Sequence, residues 1–242
     1  MGRGNRSQAA QRALIELRTL VLNGAFENGA RLPETALADR LGVSRTPLRQ
    51  AMDRLVDEGL LSRIETGGCR VAQFTLDDIT DAIELRGVLE GTAARLAAER
   101  GVSATNAAQI EATLAHLDAI TSTSNLEFAA YVRANAEFHD QLAQLAGSAI
   151  IAQEIERANR RPAASPTAFM QGQETIPDFI ESLSHAQRQH RAIWDAIENR
   201  EGARAEAMAR EHARLARANL AYVMNDNPAL AQRVPGLSLV AE

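Results

Sequence analysis

The 242-residue sequence has no lysine, so its 26 basic side chains are all arginines, and it has a single cysteine, Cys69. We attribute the lack of lysine to compositional bias. One cysteine cannot form a disulfide within the chain, which excludes a disulfide-stapled secreted domain and fits a reducing cytoplasm. The apolar runs are too short for a transmembrane helix, and the first residues do not lead into the apolar core of a signal peptide. We therefore expect a cytoplasmic protein without a membrane partner.

Aromatic residues are also few, at 4%, whereas alanine, leucine, arginine and glutamate are frequent. These four residue types favour helices over sheets. The hydrophobic fraction of 45% is normal for a folded protein. A chain of this length can bury the cores of two small domains, so the composition predicts a mainly α-helical, two-domain protein.

The charges are divided unevenly along the chain. Residues 1–74 contain 11 arginines against 8 acidic residues, a net charge of +3, whereas residues 75–242 contain 15 against 23, a net charge of −8. A basic first third joined to an acidic remainder indicates two domains with different partners. The net charge of −5 for the whole chain therefore does not exclude nucleic acid as a partner of the first third.

The stretch from Gly42 to Leu55 predicts a helix with two unlike faces. One face repeats apolar residues at the spacing that a helix buries, namely Leu48, Ala51, Met52, Leu55 and Val56. Arg45 and Arg49 project together from the N-terminal end beside Thr46, and Ser44 is a suitable N-cap. Such a helix is typical of a recognition helix in the DNA major groove. An ordinary amphipathic helix with solvated arginines is the alternative that this stretch alone leaves open.

The sequence around this helix predicts a winged helix-turn-helix domain over residues 9–74. We expect a disordered tail over residues 1–8 and two further helices, Ala9–Leu22 and Pro33–Leu41. Two short strand-like runs after the recognition helix enclose Gly67 and Gly68, and paired glycines supply the positive φ angles of a tight turn. The turn would place both glycines near the DNA backbone or minor groove; the alternative is that they serve the turn alone.

The same third contains the runs Arg31-Leu32-Pro33-Glu34, Leu37-Ala38-Asp39-Arg40-Leu41-Gly42-Val43-Ser44-Arg45-Thr46-Pro47-Leu48-Arg49 and Glu58-Gly59-Leu60. These runs resemble the N-terminal domain of GntR-family bacterial transcription regulators over residues 10–74. The resemblance implies that Ser44, Arg45, Thr46 and Arg49 contact operator DNA. Many members have arginine where this chain has Thr35, and an Arg-Gly pair where it has Gly67-Gly68. We expect these departures to change the operator or weaken affinity without changing the fold.

From Thr75 onwards the sequence predicts helices almost throughout. We expect them over residues 75–99, 104–121, 126–145, 149–160, 178–199 and 201–224. A looser segment, residues 161–177, carries prolines and a glycine and predicts a lid or a broken helix. These helices form an all-helical bundle over residues 75–225, followed by a tail over residues 226–242.

Two histidines fall at matched positions in the last two predicted helices. His190 precedes Glu201 by 11 residues, and His212 follows it by 11. At about 1.5 Å per residue, an antiparallel pair turning at Glu201 would bring both imidazoles to about 16 Å from the turn. Apolar residues flank both, and imidazole nitrogens suit Zn, Ni and related ions. A metal or anion site is therefore favoured over histidines that merely fill the core.

The second region contains the runs Glu84-Leu85-Arg86, Phe138-His139, His190-Arg191-Ala192-Ile193 and Met208 to His212. These resemble the FCD ligand-binding domain of the FadR subfamily of GntR regulators over residues 76–224. In its metal-binding members an aspartate and three histidines hold a divalent ion, which implies His139, His190 and His212 as ligands. Asn135 stands at the aspartate position and offers a neutral oxygen, so we expect lower metal affinity or a differently used ligand set.

Together these features predict a homodimeric DNA-binding regulator, a repressor, that responds to a small organic acid through a bound divalent metal, Zn or Ni. Residues 159–166 are similar to vanillate-type repressors, which implies an aromatic acid as one candidate. We assign ligand binding to Arg86, by charge-assisted bonding, and to Tyr131, which shares a helix face with Asn135. The alternative for Arg86 is a surface ion pair with Glu90.

Two other functions stay open at this point. In the first, the pocket is metal-free and the histidines bind the carboxylate directly, which Asn135 allows. In the second, the chain is an all-helical metalloenzyme. We disfavour the enzyme because no acidic residue is placed as a general base beside the histidines and a winged helix would be surplus.

Overall fold

The computed structural model describes residues 2–122, 126–161, 164–167, 170, 173, 176–225 and 237–240. It divides into two compact units. The first unit runs to Ile79 and includes residues 237–240, and the second begins at Thr80. Among the described residues, no helix combines the length and the apolar character that a membrane span requires.

The first unit is built from three helices and a two-stranded hairpin, which are α1 (Gly2–Leu22), α2 (Glu34–Leu41), α3 (Arg45–Asp57), β1 (Leu61–Arg63) and β2 (Cys69–Val71). The strands pair antiparallel, with Leu61 opposite Val71. Leu17, Leu48 and Leu55 are fully buried in its core, because the apolar stripes of α1 and α3 face each other. The predicted winged helix-turn-helix is confirmed.

The beginning of α1 corrects one prediction. The helix starts at Gly2, so residues 2–8 are helical and do not form the disordered tail expected before Ala9. Once Leu14, Leu17 and Val21 are packed, each further helical residue adds a backbone hydrogen bond without the cost of nucleation. Apolar periodicity marks only the packed part of such a helix, which is why the pattern did not reveal its start.

The end of the chain corrects a second prediction, that of a tail over residues 226–242. Within the predicted tail, residues 237–240 belong to the first unit: Leu237–Leu239 form a 3-10 helix, and Leu239 is fully buried in that unit's core. The Phe74 N–H donates to the Leu239 carbonyl at 3.0 Å, and the Asn28 amide donates to the Val240 carbonyl at 3.3 Å. Residues 226–236 and 241–242 of the predicted tail lie outside the described residues.

The second unit consists of helices α4 (Leu76–Arg100), α5 (Ala104–Thr121), α6 (Phe128–Leu145), α7 (Ala149–Asn159), α8 (Pro177–Glu198), α9 (Gly202–Ala213) and α10 (Leu215–Asn225), of which α4 starts in the first unit. Thr75 and Asp78 cap the start of α4 reciprocally, each accepting a hydrogen bond from the other's backbone N–H. The α5, α6, α8 and α9 helices surround a core that includes Tyr131, Phe138 and Trp194. The predicted all-helical domain is confirmed.

One predicted helix is divided. The helix expected over residues 201–224 is broken at Arg214 into α9 and α10. The carbonyl of Ala213 accepts a hydrogen bond from Arg86, at 3.2 Å, and the Arg217 N–H bonds the Arg214 carbonyl instead. A side chain that enters the backbone ladder in this way bends a helix. Because the cause is a residue 127 positions away, local spacing could not show it.

We expect the substitution Leu239→Ala to lower the free energy of unfolding by about 2–5 kcal/mol, since it removes a fully buried side chain from a packed core. Urea denaturation followed by circular dichroism measures the change. Ile15→Ala, on α1, is the matched control, because Ile15 is 51% exposed. Equal effects of the two substitutions would contradict a structural role for the C-terminal residues.

Candidate functional site

The N-terminal end of α3 is exposed and carries the predicted DNA-contacting side chains. Ser44 occupies the N-cap position without a side-chain capping bond, and Arg45, Thr46 and Arg49 are all exposed to solvent. The opposite face is buried and contains Pro47, Leu48, Ala51, Met52 and Leu55. The helix therefore presents two hydroxyls and two guanidinium groups on one side while its other side is fixed by the core.

Two residues of α2 hold the arginines of α3. The Arg49 Nε donates to the Glu34 carboxylate at 2.8 Å, and an Arg45 Nη donates to the Thr35 hydroxyl at 3.1 Å. A guanidinium has five N–H donors, so one bond fixes its orientation and leaves the others for an external acceptor. Thr35, one of the departures from the family pattern, thus orients the guanidinium of Arg45. Sequence reasoning missed both contacts, because they join different helices.

The hairpin turn adopts the conformation that its glycines predicted. Gly67 has φ +97° and Gly68 has φ +85°, angles that other residues rarely take. The turn alone therefore explains why both positions are glycine. Their contact with DNA stays a prediction.

Three imidazole rings meet in the second unit. His139 on α6, His190 on α8 and His212 on α9 are buried, and their Nε2 atoms converge. The Nε2 of His212 lies 2.9 Å from that of His190 and 3.3 Å from that of His139. The antiparallel pairing of the last helices therefore places His190 opposite His212, as their spacing from Glu201 predicted. These rings form a group that could hold a metal ion.

The other nitrogen of each ring has its own oxygen partner. His139 Nδ1 lies 3.0 Å from the Glu90 carboxylate, His190 Nδ1 lies 3.1 Å from the Gln187 Oε1, and His212 Nδ1 lies 3.0 Å from the Gln189 Oε1. Carboxylate and amide oxygens accept hydrogen bonds, so these contacts place the proton of each ring on Nδ1. Each Nε2 is then left with a lone pair directed at the other two rings.

The orientation of Gln187 is fixed independently. Its Nε2 donates to the Leu114 carbonyl at 3.1 Å and to the Asp118 carboxylate at 2.7 Å. Only its oxygen is then left for His190, which must be the donor. Burial lowers the pKa of His190 and of His212 well below the usual value, with the neighbouring imidazoles adding to the effect, so both rings are neutral near pH 7.

Three imidazole nitrogens that direct lone pairs at one point repel one another unless a cation lies between them. Two nitrogen ligands at about 2.0–2.1 Å from a tetrahedral ion lie about 3.3 Å apart. The Nε2 separations of 2.9 and 3.3 Å come close to that value. Oxygen partners on the distal nitrogens are also the usual support of metal-binding histidines. The donor set therefore fits a divalent metal.

A buried ion pair lies beside the rings. The Arg86 Nε and the Glu90 Oε2 are 3.9 Å apart, and both side chains are almost fully buried. Two backbone carbonyls, of Ala164 and Ala213, accept hydrogen bonds from the Arg86 Nη atoms. Burial by itself would raise the pKa of Glu90, but interaction with His139 and Arg86 outweighs it and the pKa falls below its usual range. The predicted alternative of a surface pair between Arg86 and Glu90 is wrong, because the pair is interior.

A cavity of about 70 Å³ adjoins this cluster, and its lining includes Arg86, Tyr131, Asn135, His139 and His212. Three buried polar atoms of this region have no hydrogen-bond partner, namely the Arg86 Nε, the Glu90 Oε2 and the Tyr131 hydroxyl. Unpaired buried polar groups are costly, and a bound polar molecule would satisfy them. Tyr131 and Arg86 are therefore available to a ligand, although the sequence offered no direct sign of their shared cavity.

Asn135 lies one turn before His139 on α6 and is buried in the same cavity lining. Its amide nitrogen donates to the Pro166 carbonyl at 3.4 Å, which leaves the side-chain oxygen for another contact. A role as metal ligand stays a prediction. Sequence reasoning had not assigned Glu90, Gln187 and Gln189 to the site; the position of Gln187 one turn before His190 is the signal that could have found it.

Two family descriptions match the chain. Residues 9–71 match the bacterial regulatory proteins of the gntR family, and residues 81–215 match the FCD domain. The second match alone spans more than half of the sequence.

Individual proteins are similar as well. The uncharacterized HTH-type transcriptional regulator YdhC of Bacillus subtilis is 37% identical over 81 residues, which cover 34% of this chain and 36% of that protein. A probable D-xylose utilization operon transcriptional repressor of Paenarthrobacter nicotinovorans is 29% identical over 179 residues, 74% of each chain. Among solved structures, that of E. coli McbR/YncC is similar with a TM-score of 0.63 and 21% sequence identity. The similarity covers 90% of this chain and 99% of McbR/YncC, so the two share the fold.

We expect Glu90→Gln to lower the free energy of unfolding by about 3–5 kcal/mol, since it leaves the buried guanidinium of Arg86 without its counter-charge. Chemical denaturation measures the loss. Glu99→Gln is the matched control, because Glu99 pairs with Arg95 at the same spacing on α4 but in solvent. The buried pair would have no special importance if both variants unfolded at the same denaturant concentration.

Proposed function

The chain belongs to the GntR family of bacterial regulatory proteins and carries an FCD domain, and we propose that it is a homodimeric transcriptional repressor whose operator affinity is controlled by a small organic acid. The observation that carries this proposal is the exposed N-terminal end of α3, whose two arginines are oriented by Glu34 and Thr35. Dimers of such units read two half-sites about one helical turn apart.

In the DNA complex, Arg45 and Arg49 contact base edges in the major groove, where a guanidinium pairs best with guanine. Ser44 and Thr46 bond the phosphates beside them, together with the free backbone N–H groups at the start of α3. Gly67 and Gly68 bring the wing close to the sugar-phosphate backbone. The exposure of the N-terminal end of α3 and the chemistry of its side chains support the roles proposed for Ser44, Arg45, Thr46 and Arg49.

In the second unit, His139, His190 and His212 would hold a divalent metal, Zn or Ni, and Asn135 would be a further oxygen donor. Such an ion would act as a Lewis acid to which a carboxylate can bind. Arg86 and Tyr131 then bond the remaining oxygens of the acid. An engineered cavity of about 150 Å³ accommodates benzene. The 70 Å³ cavity of this chain therefore favours a short aliphatic acid over an aromatic one.

A metal-free pocket is the weaker alternative. A carboxylate is rich in lone pairs, and it would meet three imidazole nitrogens that also carry lone pairs. A catalytic function has less support still. The Glu90 carboxylate, the acid nearest the rings, is held by His139 and Arg86 and is not available as a general base.

Control of DNA binding requires two arrangements of the protein, one of which binds the acid better. The junction of α9 and α10 is suited to such a change, because the Arg86 guanidinium holds the Ala213 carbonyl there. An acid that competes for Arg86 would release this carbonyl and alter the junction. Leu215 and Ala216, the first residues of α10, line the same cavity.

We expect Arg49→Ala to abolish specific operator binding while leaving the fold unchanged, because the Arg49 side chain is 64% exposed. Fluorescence anisotropy with a duplex selected by the wild-type protein from a random-sequence pool measures the affinity. Arg54→Ala, in the last turn of α3, is the control with the same charge change. Unchanged affinity of the Arg49 variant would refute the assignment.

We expect His190→Ala to lose a metal ion that the wild-type protein retains through dialysis after incubation with ZnSO4 or NiSO4. Elemental analysis gives the metal content per chain, and a thermal shift on adding the metal alone gives an independent measure, since a ligand of the native state stabilises it. His185→Ala is the matched control, because His185 is exposed on the same helix. Full metal content in the His190 variant would contradict the proposed ligand set.

A further inference from the structure

A short segment before α2 joins the edge of the wing. The Leu32 N–H donates to the Cys69 carbonyl at 2.9 Å, and the Val71 N–H donates to the Ala30 carbonyl at 3.0 Å. These bonds place Arg31 directly opposite Arg70 in an antiparallel bridge. Both arginines are exposed. The wing thus carries two cations side by side that come from distant parts of the sequence.

The Arg31 side chain lies along the hairpin turn. Its Nη2 donates to the Gly67 carbonyl at 3.0 Å, and its Nε and Nη2 are 3.9 Å from the position that a Cβ on Gly68 would take. The turn itself has no cationic side chain at these two glycines. Arg31 therefore brings a guanidinium to the tip of the wing from outside the hairpin.

Like charges on directly paired strand residues destabilise a sheet, so this arrangement has a cost. Three other arginines of the first unit form ion pairs, which are Arg18–Glu58, Arg49–Glu34 and Arg63–Asp53. In the described part of the chain, neither Arg31 nor Arg70 pairs with a carboxylate. The Gly67 carbonyl orients Arg31 without neutralising it. An external anion is the partner that would offset the repulsion.

The arginine pair lies close to the recognition helix. Glu34 and Thr35, which hold Arg49 and Arg45, follow Arg31 by only three and four residues. Three residues of chain span at most about 11 Å. A long anion that contacts the start of α3 can therefore also reach Arg31. The backbone of a nucleic acid is long enough to contact both.

We propose that Arg31 and Arg70 form a phosphate-binding pair that holds the DNA backbone beside the groove entered by α3, with Arg31 supplying the cation that the Gly67-Gly68 turn lacks. This proposal rests on the proposed DNA-binding function. A phosphate contact contributes to affinity on any sequence, whereas a base contact of α3 contributes only on the operator.

The test compares the wild-type protein with Arg31→Ala on the selected operator and on a random-sequence duplex of the same length, over a range of NaCl concentrations. We expect binding to both duplexes to weaken by about tenfold. The slope of log affinity against log salt should become shallower by about 0.9 for each phosphate that the variant no longer neutralises. Arg31→Lys should restore most of the affinity, because a lysine also binds phosphate as a point charge.

Arg54→Ala controls for the change in net charge and should leave the salt slope unchanged. The phosphate-binding pair is disproved if wild type and Arg31→Ala have the same affinity and salt slope, or if the weakening is confined to the operator. Failure of the wild-type protein itself to bind either duplex would instead disprove the proposed function. Circular dichroism confirms that each variant is folded.

Discussion

The hydrogen bonds from the three Nδ1 atoms determine what the second unit can do. Glu90, Gln187 and Gln189 each accept a hydrogen bond from one imidazole, and in doing so they turn three lone pairs towards a common point. The rings come from α6, α8 and α9, so the packing of these helices and the affinity of the centre for a cation depend on each other. A cation at this point would stabilise the fold as well as prepare the cavity for an anion.

Glu90 connects this centre to the rest of the unit. It faces His139 with one carboxylate oxygen and Arg86 with the other, and Arg86 in turn bonds the carbonyl of Ala213 where α9 ends. A change at the cavity can therefore reach the start of α10 through two side chains. Beyond α10, the chain continues to Leu239, which completes the core of the winged helix.

Periodicity and capping residues in the sequence were sufficient for most helices. The α5 helix matches its predicted bounds, and α4, α6, α7, α8 and α9 start within two residues of prediction. The equal spacing of His190 and His212 from Glu201 also predicted their meeting. Contacts between distant residues could not be predicted in this way. The break at Arg214, the burial of Leu239 and the oxygen partners of the imidazoles each depend on a tertiary neighbour, and the unmarked start of α1 depends on cooperativity.

The partners of Arg18 and Arg31 give these two cations different roles in a chain that has no lysine. Arg18 forms two bonds with the buried carboxylate of Glu58, which neutralises it and fixes α1. Arg31 is oriented by a backbone carbonyl, which holds the guanidinium in place but leaves its charge uncompensated. A neutral acceptor leaves a cation nearly all of its attraction for a mobile anion, whereas a buried carboxylate such as that of Glu58 largely neutralises the cation. Arginines held by carbonyls at an exposed surface are therefore where a polyanion binds with the least rearrangement.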